Sequence, residues 1–286
     1  MIIDLHIHST VSDGTDKPEE ILKKVKEAGI SLFSLTDHDA VKGSSALAGT
    51  MSEEDPRMIS GAEFSCRDEK GKYHILGYRF DPDAESIQQL IRTGHQYRME
   101  KTTARLQHLE NEFGFSFPEE EKKKLLSMDN PGKPHLGNLM VRYGYAGTKD
   151  QAITEYINHL HVRSRYIRPE EAVRGILDGG GIPVLAHPPF GRGDQLITGS
   201  ELEERIRRLM DHGLQGLEGF YSGYTPQLRE SILNFARQYG LYITAGSDYH
   251  GTNKPVCLGQ TGLDRCEENW PDGLIRFLGV CGYTTR

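Results

Sequence analysis

Short apolar runs recur along the chain, and several are followed by stretches whose apolar residues are spaced like one face of a helix. The runs are rich in Ile, Leu, Val and aromatic residues, which favour strands. Strands that alternate with helices are typical of a parallel sheet or barrel. We therefore predict an α/β fold with seven strands, at residues 2–7, 31–36, 57–64, 73–80, 182–187, 214–220 and 241–247.

The first helix has the clearest boundaries of the helices that this pattern predicts. Asp16 and Glu19 fit a capping box, Pro18 suits a first turn, and Gly29 ends the periodic segment. Later segments with a single apolar face predict helices at residues 169–179, 201–212 and 226–239.

Between residues 86 and 168 the strand pattern gives way to a long polar helical segment and several shorter ones. Ordinary connections between a strand and a helix have about 2–6 residues, so this stretch is more than a connection. We predict a barrel of residues 1–85 and 169–286, and a helical insertion subdomain of residues 86–168. Two interpretations of the insertion stay open: a lid over a site, or an appendage used in packing or dimerisation.

The composition excludes several classes of function. The chain has 34 Lys and Arg against 41 Asp and Glu, a formal charge of -7, so no general attraction to nucleic acids or anionic membranes is expected. An anionic substrate would need a local group of cations. The first residues, MIIDLHIHST, do not resemble a signal peptide, and no apolar run approaches the ~18 residues of a membrane span. We expect a cytoplasmic protein, with no membrane contact and no evident obligate protein partner.

Imidazole and carboxylate groups follow several of the predicted strands. His6 and His8 are two residues apart in the first strand, so their side chains point the same way. Alone, such a pair is more simply two half-exposed polar residues. However, other strands end in the segments TDHD (36–39), GAE (61–63), AHP (186–188) and GSDYH (246–250). Because the carboxyl ends of barrel strands share one face, we expect these residues to converge there with Asp13 of the first loop.

A group of this kind predicts bound metal. Burying carboxylates and imidazoles together without a cation would cost roughly several kcal/mol for each group. The donors are nitrogen and oxygen, and the four cysteines form no C-x-x-C pair that would predict a thiolate site. Such donors suit divalent manganese, zinc or iron.

Seven segments taken together resemble the PHP (polymerase and histidinol phosphatase) superfamily. They are DLHIHS (4–9), SDG (12–14), LTDHD (35–39), GAEFS (61–65), YHILGY (73–78), VLAHP (184–188) and GSDYH (246–250). The resemblance spans nearly the whole chain except the insertion. It implies a distorted (β/α)7 barrel and three divalent ions at its carboxyl-end face, with manganese preferred and zinc or iron as alternatives.

The resemblance also implies which residues bind the ions. The first ion would be held by His6, His8, Glu63 and Asp248; Glu63 would bridge to the second, completed by His74 and His187; the third would be held by Asp13, His38 and His250. Catalytic roles would fall to Glu63, Asp248 and His187. Our strand assignment puts His74 at the wrong end of a parallel strand, so this ligand depends on the resemblance alone, and the fourth strand is expected to be irregular.

The layout is most similar to a stand-alone PHP subgroup that hydrolyses nucleoside 3′,5′-bisphosphates and trims the 5′ ends of short RNAs. The implied function is hydrolysis of phosphate monoesters of nucleotides, by attack of a hydroxide that bridges two ions. The expected partner is a small phosphorylated substrate, either a nucleotide or a short RNA end. One departure from relatives is the segment EGFYSGYTP (218–226), which has no histidine near Tyr224.

The insertion contains candidates for binding substrate phosphate. These are Lys133, His135, Arg142 and Arg165, with Arg163 and Arg168 as further cations in the same region. Arg142 follows His135 by seven residues and would share nearly the same helical face. For each of the cations, a solvated surface position is the competing interpretation.

Three other functions are alternatives to the nucleotide phosphoesterase. A histidinol-phosphate phosphatase is the nearest alternative, and the insertion argues against it because a cover could recognise a second phosphate or a base. A non-catalytic metal-binding PHP module is opposed by the complete set of ligand positions. Hydrolysis of a carbon–nitrogen bond fits less well, because Glu63 and a third ion suit phosphate better.

Overall fold

The computed structural model describes residues 1–159, 164–191 and 195–283. It has the α/β architecture predicted from the hydrophobic pattern, with strands and helices alternating outside one helical region. The strands are β1 (Ile3–Ile7), β2 (Leu32–Leu35), β3 (Arg57–Met58), β4 (Gly61–Asp68), β5 (Gly71–Tyr78), β6 (Ile182–Leu185), β7 (Gly216–Tyr221) and β8 (Tyr242–Gly246).

The helices follow the amphipathic segments of the sequence. They are α1 (Pro18–Glu27), α2 (Lys42–Ala48), α3 (Glu85–Phe113), α4 (Glu119–Leu126), α5 (Lys133–Arg142), α6 (Lys149–Gln151), α7 (Pro169–Asp178), α8 (Gly199–Met210), α9 (Pro226–Gln238) and α10 (Asp272–Val280). The capping prediction for α1 was wrong by one residue. Glu20 accepts the backbone N–H of Lys17, whereas Asp16 pairs with the Lys24 ammonium at 2.7 Å.

The described strands form two sheets. One has the order β1-β2-β3 and is parallel; the other has the order β4-β5-β6-β7-β8. In the second sheet β5 runs antiparallel to both β4 and β6, and β6, β7 and β8 are parallel to one another. The predicted strand 57–64 is divided between β3 and β4.

The reversed direction of β5 resolves the position of His74. On β5, His74 is paired with Ser65 of β4, and its carbonyl accepts the backbone N–H of Ala186 beyond the end of β6. The start of an antiparallel strand therefore lies at the same edge as the ends of its parallel neighbours. The prediction of an irregular fourth strand is explained by this hairpin.

Two isolated backbone bridges connect the edges of the sheets. Ile7 pairs with Tyr249 after β8, and His38 after β2 pairs with Glu63 of β4. The strand pairing does not define one closed sheet within the described residues, so the seven-stranded barrel stays a prediction.

Apolar side chains from both sheets and their helices form the core. The interior faces of β4 to β8 pack with α7, α8, α9 and α10, and a second cluster joins β1 and β2 to α1 and α2. A third cluster lies wholly within α3 to α6 and the turn that follows; it contains Leu106, Leu109, Phe117, Leu125, Leu136, Leu139, Met140, Ala152 and Ile157. The helices between β5 and α7 thus have an apolar core of their own.

Across the described residues, no helix combines the length and the apolar character that crossing a membrane requires.

Candidate metal centre

The first strand delivers two buried imidazoles to the end of the sheet. His6 and His8 are fully buried, and their Nε2 atoms are 3.1 Å apart. Each Nε2 lies 3.2–3.3 Å from Glu63 Oε2 and 3.2–3.4 Å from Asp248 Oδ1. Four donors placed about 2.0 Å from a common centre at tetrahedral angles would be about 3.3 Å apart. The separations therefore have the dimensions of a tetrahedral ion site.

Glu63 lies at the centre of the wider arrangement. Its Oε1 atom is 2.9 Å from His74 Nδ1 and 3.2 Å from His187 Nε2, while its Oε2 atom is 3.1 Å from His38 Nδ1. The carboxylate is 1% exposed and lies close to five imidazoles, which come from four segments of the chain. One buried carboxylate is thus shared by neighbouring groups of donors.

A further group of donors surrounds Asp13. Its Oδ1 atom is 3.2 Å from His250 Nε2 and 3.8 Å from His8 Nδ1, and its Oδ2 atom is 3.9 Å from His38 Nε2. All nine predicted ligands therefore lie in one cluster. The donor groups are His6, His8, Glu63 and Asp248; His38, Glu63 and His74; and His8, Asp13, His38 and His250, with His187 next to Glu63.

Several of these atoms approach one another without forming hydrogen bonds. Among the described residues, Asp13 Oδ1, His74 Nδ1 and His187 Nδ1 are buried and have no hydrogen-bond partner. Unpaired buried polar atoms are rare in native proteins and need an explanation. Donors that point toward a shared centre rather than toward each other are arranged for metal binding, so the residues fit divalent ions.

The electrostatics of the cluster is dominated by mutual compensation. Burial alone would raise the pKa of Glu63, but His74, His6 and His38 outweigh it and hold that pKa well below its usual range. Burial would also raise the pKa values of Asp13 and Asp248, but the nearby imidazoles outweigh burial and lower both values. The carboxylates are thus ionised and available as ligands.

The backbone at this edge is strained. Positive φ angles occur at Asp39 (50°), His187 (28°) and Asp248 (58°), and the other such non-glycine residue in the described chain is Arg79. These conformations are unfavourable for residues with a Cβ atom, and in proteins they occur most often at active sites and ligand-binding sites.

Buried carboxylates outside the ligand set hold the loops. Asp37 accepts hydrogen bonds from the Ser9 amide (2.8 Å), the Ser9 hydroxyl (2.7 Å) and the Ser12 hydroxyl (2.6 Å), which fixes the loop that carries Asp13. Asp4 accepts from the amide and hydroxyl of Ser247, next to Asp248. Both lie in segments that the sequence singled out, DLHIHS and TDHD, but neither was predicted to hold a loop.

The other oxygen of Asp248 is also fixed. Its Oδ2 atom accepts hydrogen bonds from Tyr221 Oη at 3.0 Å and from Lys254 Nζ at 2.6 Å. Asp248 Oδ1 is thereby left to face His6 and His8. Tyr221 lies in the segment where a histidine was expected, and neither it nor Lys254 was predicted.

A row of cations on α3 begins next to the cluster. Arg98 donates to Asp39 Oδ2 at 2.6 Å and to Ser65 Oγ at 2.9 Å, and Ser65 Oγ is 3.4 Å from His38 Nδ1. Lys101 and Arg105 follow on the same helical face, at spacings of about one turn. From its sequence this helix was predicted only to be long and polar, although its cations are spaced three and four residues apart.

These cations are crowded and poorly compensated. Burial, with Arg98 and Arg105, lowers the pKa of Lys101 to about 6, and burial with Arg98 lowers that of Arg105 to about 10. The Lys101 ammonium lies 3.9 Å from the centre of the Tyr166 ring. In the part of the chain that is described, neither Lys101 nor Arg105 makes an ion pair. An anion bound there would relieve the repulsion.

The four predicted phosphate-binding residues have two kinds of surroundings, and Lys133 and His135 lie closer to the metal cluster and the cations of α3. Burial, with Lys72 and Arg105, lowers the pKa of Lys133 to about 8, which associates it with the cations of α3. His135 Nδ1 accepts the Gly132 amide at 3.0 Å, and Asp13 opposes the lowering of its pKa by burial.

The other two candidates lie in exposed ion pairs. Arg142 is 3.1 Å from Glu121 Oε1, and Arg165 pairs with Glu100. Arg163 lies outside the described residues.

Comparison with known proteins gives the chain its family. The model of the PHP domain matches residues 4–167, more than half of the chain. A phosphoribosyl 1,2-cyclic phosphate 1,2-diphosphodiesterase of Eggerthella lenta is 29% identical over 261 residues, which cover 88% of this chain and 95% of that protein. A 3′,5′-nucleoside bisphosphate phosphatase of Chromobacterium violaceum is 27% identical over 254 residues, 87% of each chain.

The fold is also shared with a solved structure. A crystal structure from Bifidobacterium adolescentis, of a protein provisionally described as a metal-dependent phosphoesterase, superimposes with a TM-score of 0.84 at 24% identity. The match covers 99% of this chain and 96% of the other. With the family model matched over its first half and this fold along its whole length, the chain belongs to the PHP domain family.

Proposed function

We propose that this protein is a metal-dependent phosphoesterase that hydrolyses phosphate esters of nucleotides. The observation that carries the proposal is the convergence of nine imidazole and carboxylate side chains around Glu63 in three overlapping donor groups. Two curated relatives whose names describe phosphate-ester hydrolysis support it.

The ions would be held by His6, His8, Asp13, His38, Glu63, His74, His187, Asp248 and His250. We propose three divalent ions. The nitrogen and oxygen donors admit manganese, zinc or iron, and the family resemblance makes manganese the preferred one. When bound, such ions supply Lewis acidity, which acidifies water near neutral pH and offsets the charge of phosphate oxygens.

Residues of the chain orient these donor atoms. Glu63 presents one oxygen to His74 and His187 and the other to His6 and His8, which keeps the donor groups adjacent. Tyr221 and Lys254 hold the second oxygen of Asp248 away from the cluster. Glu63, Asp248 and His187 remain our candidates for residues that contact the reacting phosphate or its ions.

The cations on α3 favour a substrate with a second phosphate. Arg98 lies at the edge of the metal cluster, and Lys101 and Arg105 continue away from it along the helix. A phosphate beyond the reacting one would neutralise these crowded charges, with Lys133 and His135 contributing from α5. A nucleoside 3′,5′-bisphosphate, or the 5′ end of a short RNA, carries phosphates in this relationship.

The same cations argue against histidinol phosphate. That substrate has a single phosphate, and its ammonium group would be repelled by Arg98 and Arg105. A non-catalytic module is opposed by the complete donor set. The second candidate is a sugar cyclic phosphate, since the 29% identical relative is named for that activity.

We further propose that residues 1–85 and 169–286 form a distorted (β/α)7 barrel and that residues 86–168 are an insertion covering the metal cluster. Two contacts support the covering role. Arg98 reaches Ser65 beside His38, and Lys149 donates to Asn253, whose amide donates to the Asp13 carbonyl at 2.8 Å. Residues 160–163 of the insertion lie outside the described residues.

A hydrolysis screen with manganese-loaded protein tests the function, with inorganic phosphate measured and the nucleotide or sugar products separated by chromatography. The substrates are adenosine 3′,5′-bisphosphate, a 5′-phosphorylated dinucleotide, phosphoribosyl 1,2-cyclic phosphate and histidinol phosphate. We expect the highest kcat/KM with adenosine 3′,5′-bisphosphate. Preference for histidinol phosphate would overturn the substrate proposal, and inactivity toward all four would overturn the phosphoesterase proposal.

A further inference from the structure

Glu218, a fully buried residue of β7, contacts two predicted metal ligands although it belongs to none of the donor groups. Its Oε1 atom is 2.8 Å from His6 Nδ1. Its Oε2 atom accepts the backbone N–H of His187 at 2.8 Å. One carboxylate therefore joins a ligand on β1 to a ligand in the loop after β6.

The contact with His6 determines which nitrogen is free to bind an ion. A neutral imidazole carries one proton, and a ligand nitrogen must be the unprotonated one. A carboxylate at Nδ1 retains the proton there, which leaves the Nε2 lone pair directed toward Glu63 Oε2 at 3.3 Å and Asp248 Oδ1 at 3.4 Å. Partners of this kind orient metal-binding histidines and raise their basicity.

The contact with His187 fixes a strained backbone. His187 has a φ of 28°, an unfavourable conformation that persists only where the surroundings enforce it. The hydrogen bond from its amide to Glu218 holds that residue with its Nε2 atom 3.2 Å from Glu63 Oε1.

Glu218 itself has little freedom. Its backbone carbonyl accepts the Tyr224 hydroxyl at 3.1 Å. A Cβ atom on Gly246 would lie 2.6 Å from Glu218 Oε1 and 2.2 Å from His6 Cβ, so glycine at 246 is what allows the two side chains to meet.

We propose that Glu218 is a positioning residue that sets the tautomer of His6 and the backbone of His187, and so couples two neighbouring ion sites. The inference rests on the metal site of the proposed function and extends it to a residue outside the ligand set. The Glu218→Gln variant tests it, because glutamine keeps the shape but has a single acceptor. If the amide oxygen faces His187, the NH₂ group donates to His6 Nδ1 and places the imidazole proton on Nε2. In the opposite orientation, the NH₂ group faces the His187 N–H.

Manganese titration by calorimetry is the first measurement. We expect Glu218→Gln to bind manganese about 10- to 100-fold more weakly than the wild type. Glu230→Gln, on the exposed side of α9, is the matched control and should bind normally. Wild-type affinity in folded Glu218→Gln would overturn the inference.

Nitrogen-15 spectra of histidine-labelled, zinc-loaded wild-type protein give an independent test that needs no variant. We expect the His6 proton on Nδ1; a proton on Nε2 would overturn the inference even if Glu218→Gln does not fold. Neither measurement uses a phosphate ester. Inactivity toward every ester, with weakened manganese binding in Glu218→Gln, would therefore count against the proposed function alone.

Discussion

Replacement of Lys101 by methionine is the sharpest test of the second-phosphate site. Methionine retains an unbranched side chain against the Tyr166 ring but removes the ammonium group, which lies 3.9 Å from the ring centre. A phosphate charge at about 4 Å and an effective dielectric constant of about 20 would attract this ammonium by about 4 kcal/mol.

The free energy needed to protonate Lys101 offsets part of this attraction. Because burial and its neighbours lower the pKa of Lys101 to about 6, recharging it costs about 1.4 kcal/mol at pH 7 and about 2.7 kcal/mol at pH 8. The net contributions are about 2.6 kcal/mol at pH 7 and about 1.3 kcal/mol at pH 8, or about 80-fold and about 9-fold in kcat/KM. The penalty of Lys101→Met should thus shrink as the pH rises.

The assay compares kcat/KM for adenosine 3′,5′-bisphosphate and adenosine 3′-phosphate, in the wild type and in Lys101→Met, at pH 7 and pH 8. Lys123→Met, on the exposed side of α4, is the control for loss of a lysine from the insertion. An equal loss for the two substrates, or a penalty that does not change with pH, would refute the reasoning.

Three further results are expected. Glu63→Gln should keep its secondary structure but lose bound manganese by elemental analysis and at least about 100-fold in phosphate release, because the shared carboxylate is gone; full metal content would contradict this. Gly246→Ala places a Cβ atom 2.2 Å from His6 Cβ, so the free energy of unfolding in urea should fall by about 1–3 kcal/mol, and an unchanged midpoint would argue against the close approach. Manganese at 100 times its Kd should raise the free energy of unfolding by about 2.7 kcal/mol, seen as a melting temperature that a chelator reverses; a melting temperature indifferent to manganese would contradict binding to the folded state.

Much of the fold followed from periodicity. The helices predicted at 169–179 and 226–239 correspond to Pro169–Asp178 and Pro226–Gln238, because Pro marks the first turn and an apolar face must be buried. The direction of β5 could not be read in this way, since period-two alternation is the same in parallel and antiparallel strands. His74 therefore seemed misplaced until its pairing with Ser65 was known.

The candidate site, too, could be predicted only in part from the sequence. Histidines and acids at strand ends were visible as short segments, and strand topology explains why they meet. The predicted phosphate ligands depended on which partner each cation finds, which sequence does not reveal. Arg142 and Arg165 have carboxylate partners in Glu121 and Glu100, whereas Lys101 has none in the described chain. Glu218 was missed because a buried acid inside an apolar strand gives no sign of the side chains that it faces.

The two bridges between the sheets involve the segments that carry the candidate ligands. The carbonyl of His6 accepts the amide of Asp248 at 2.9 Å, and Glu63 exchanges backbone hydrogen bonds with Asp37 and Asp39. The backbone bridges that join the two sheets and the segments that carry the candidate ligands therefore share the same few peptide groups. Because these hydrogen bonds are made by peptide groups, a descendant could exchange ligand side chains and keep both bridges, whereas an insertion or deletion in these segments would disturb the fold and the site together.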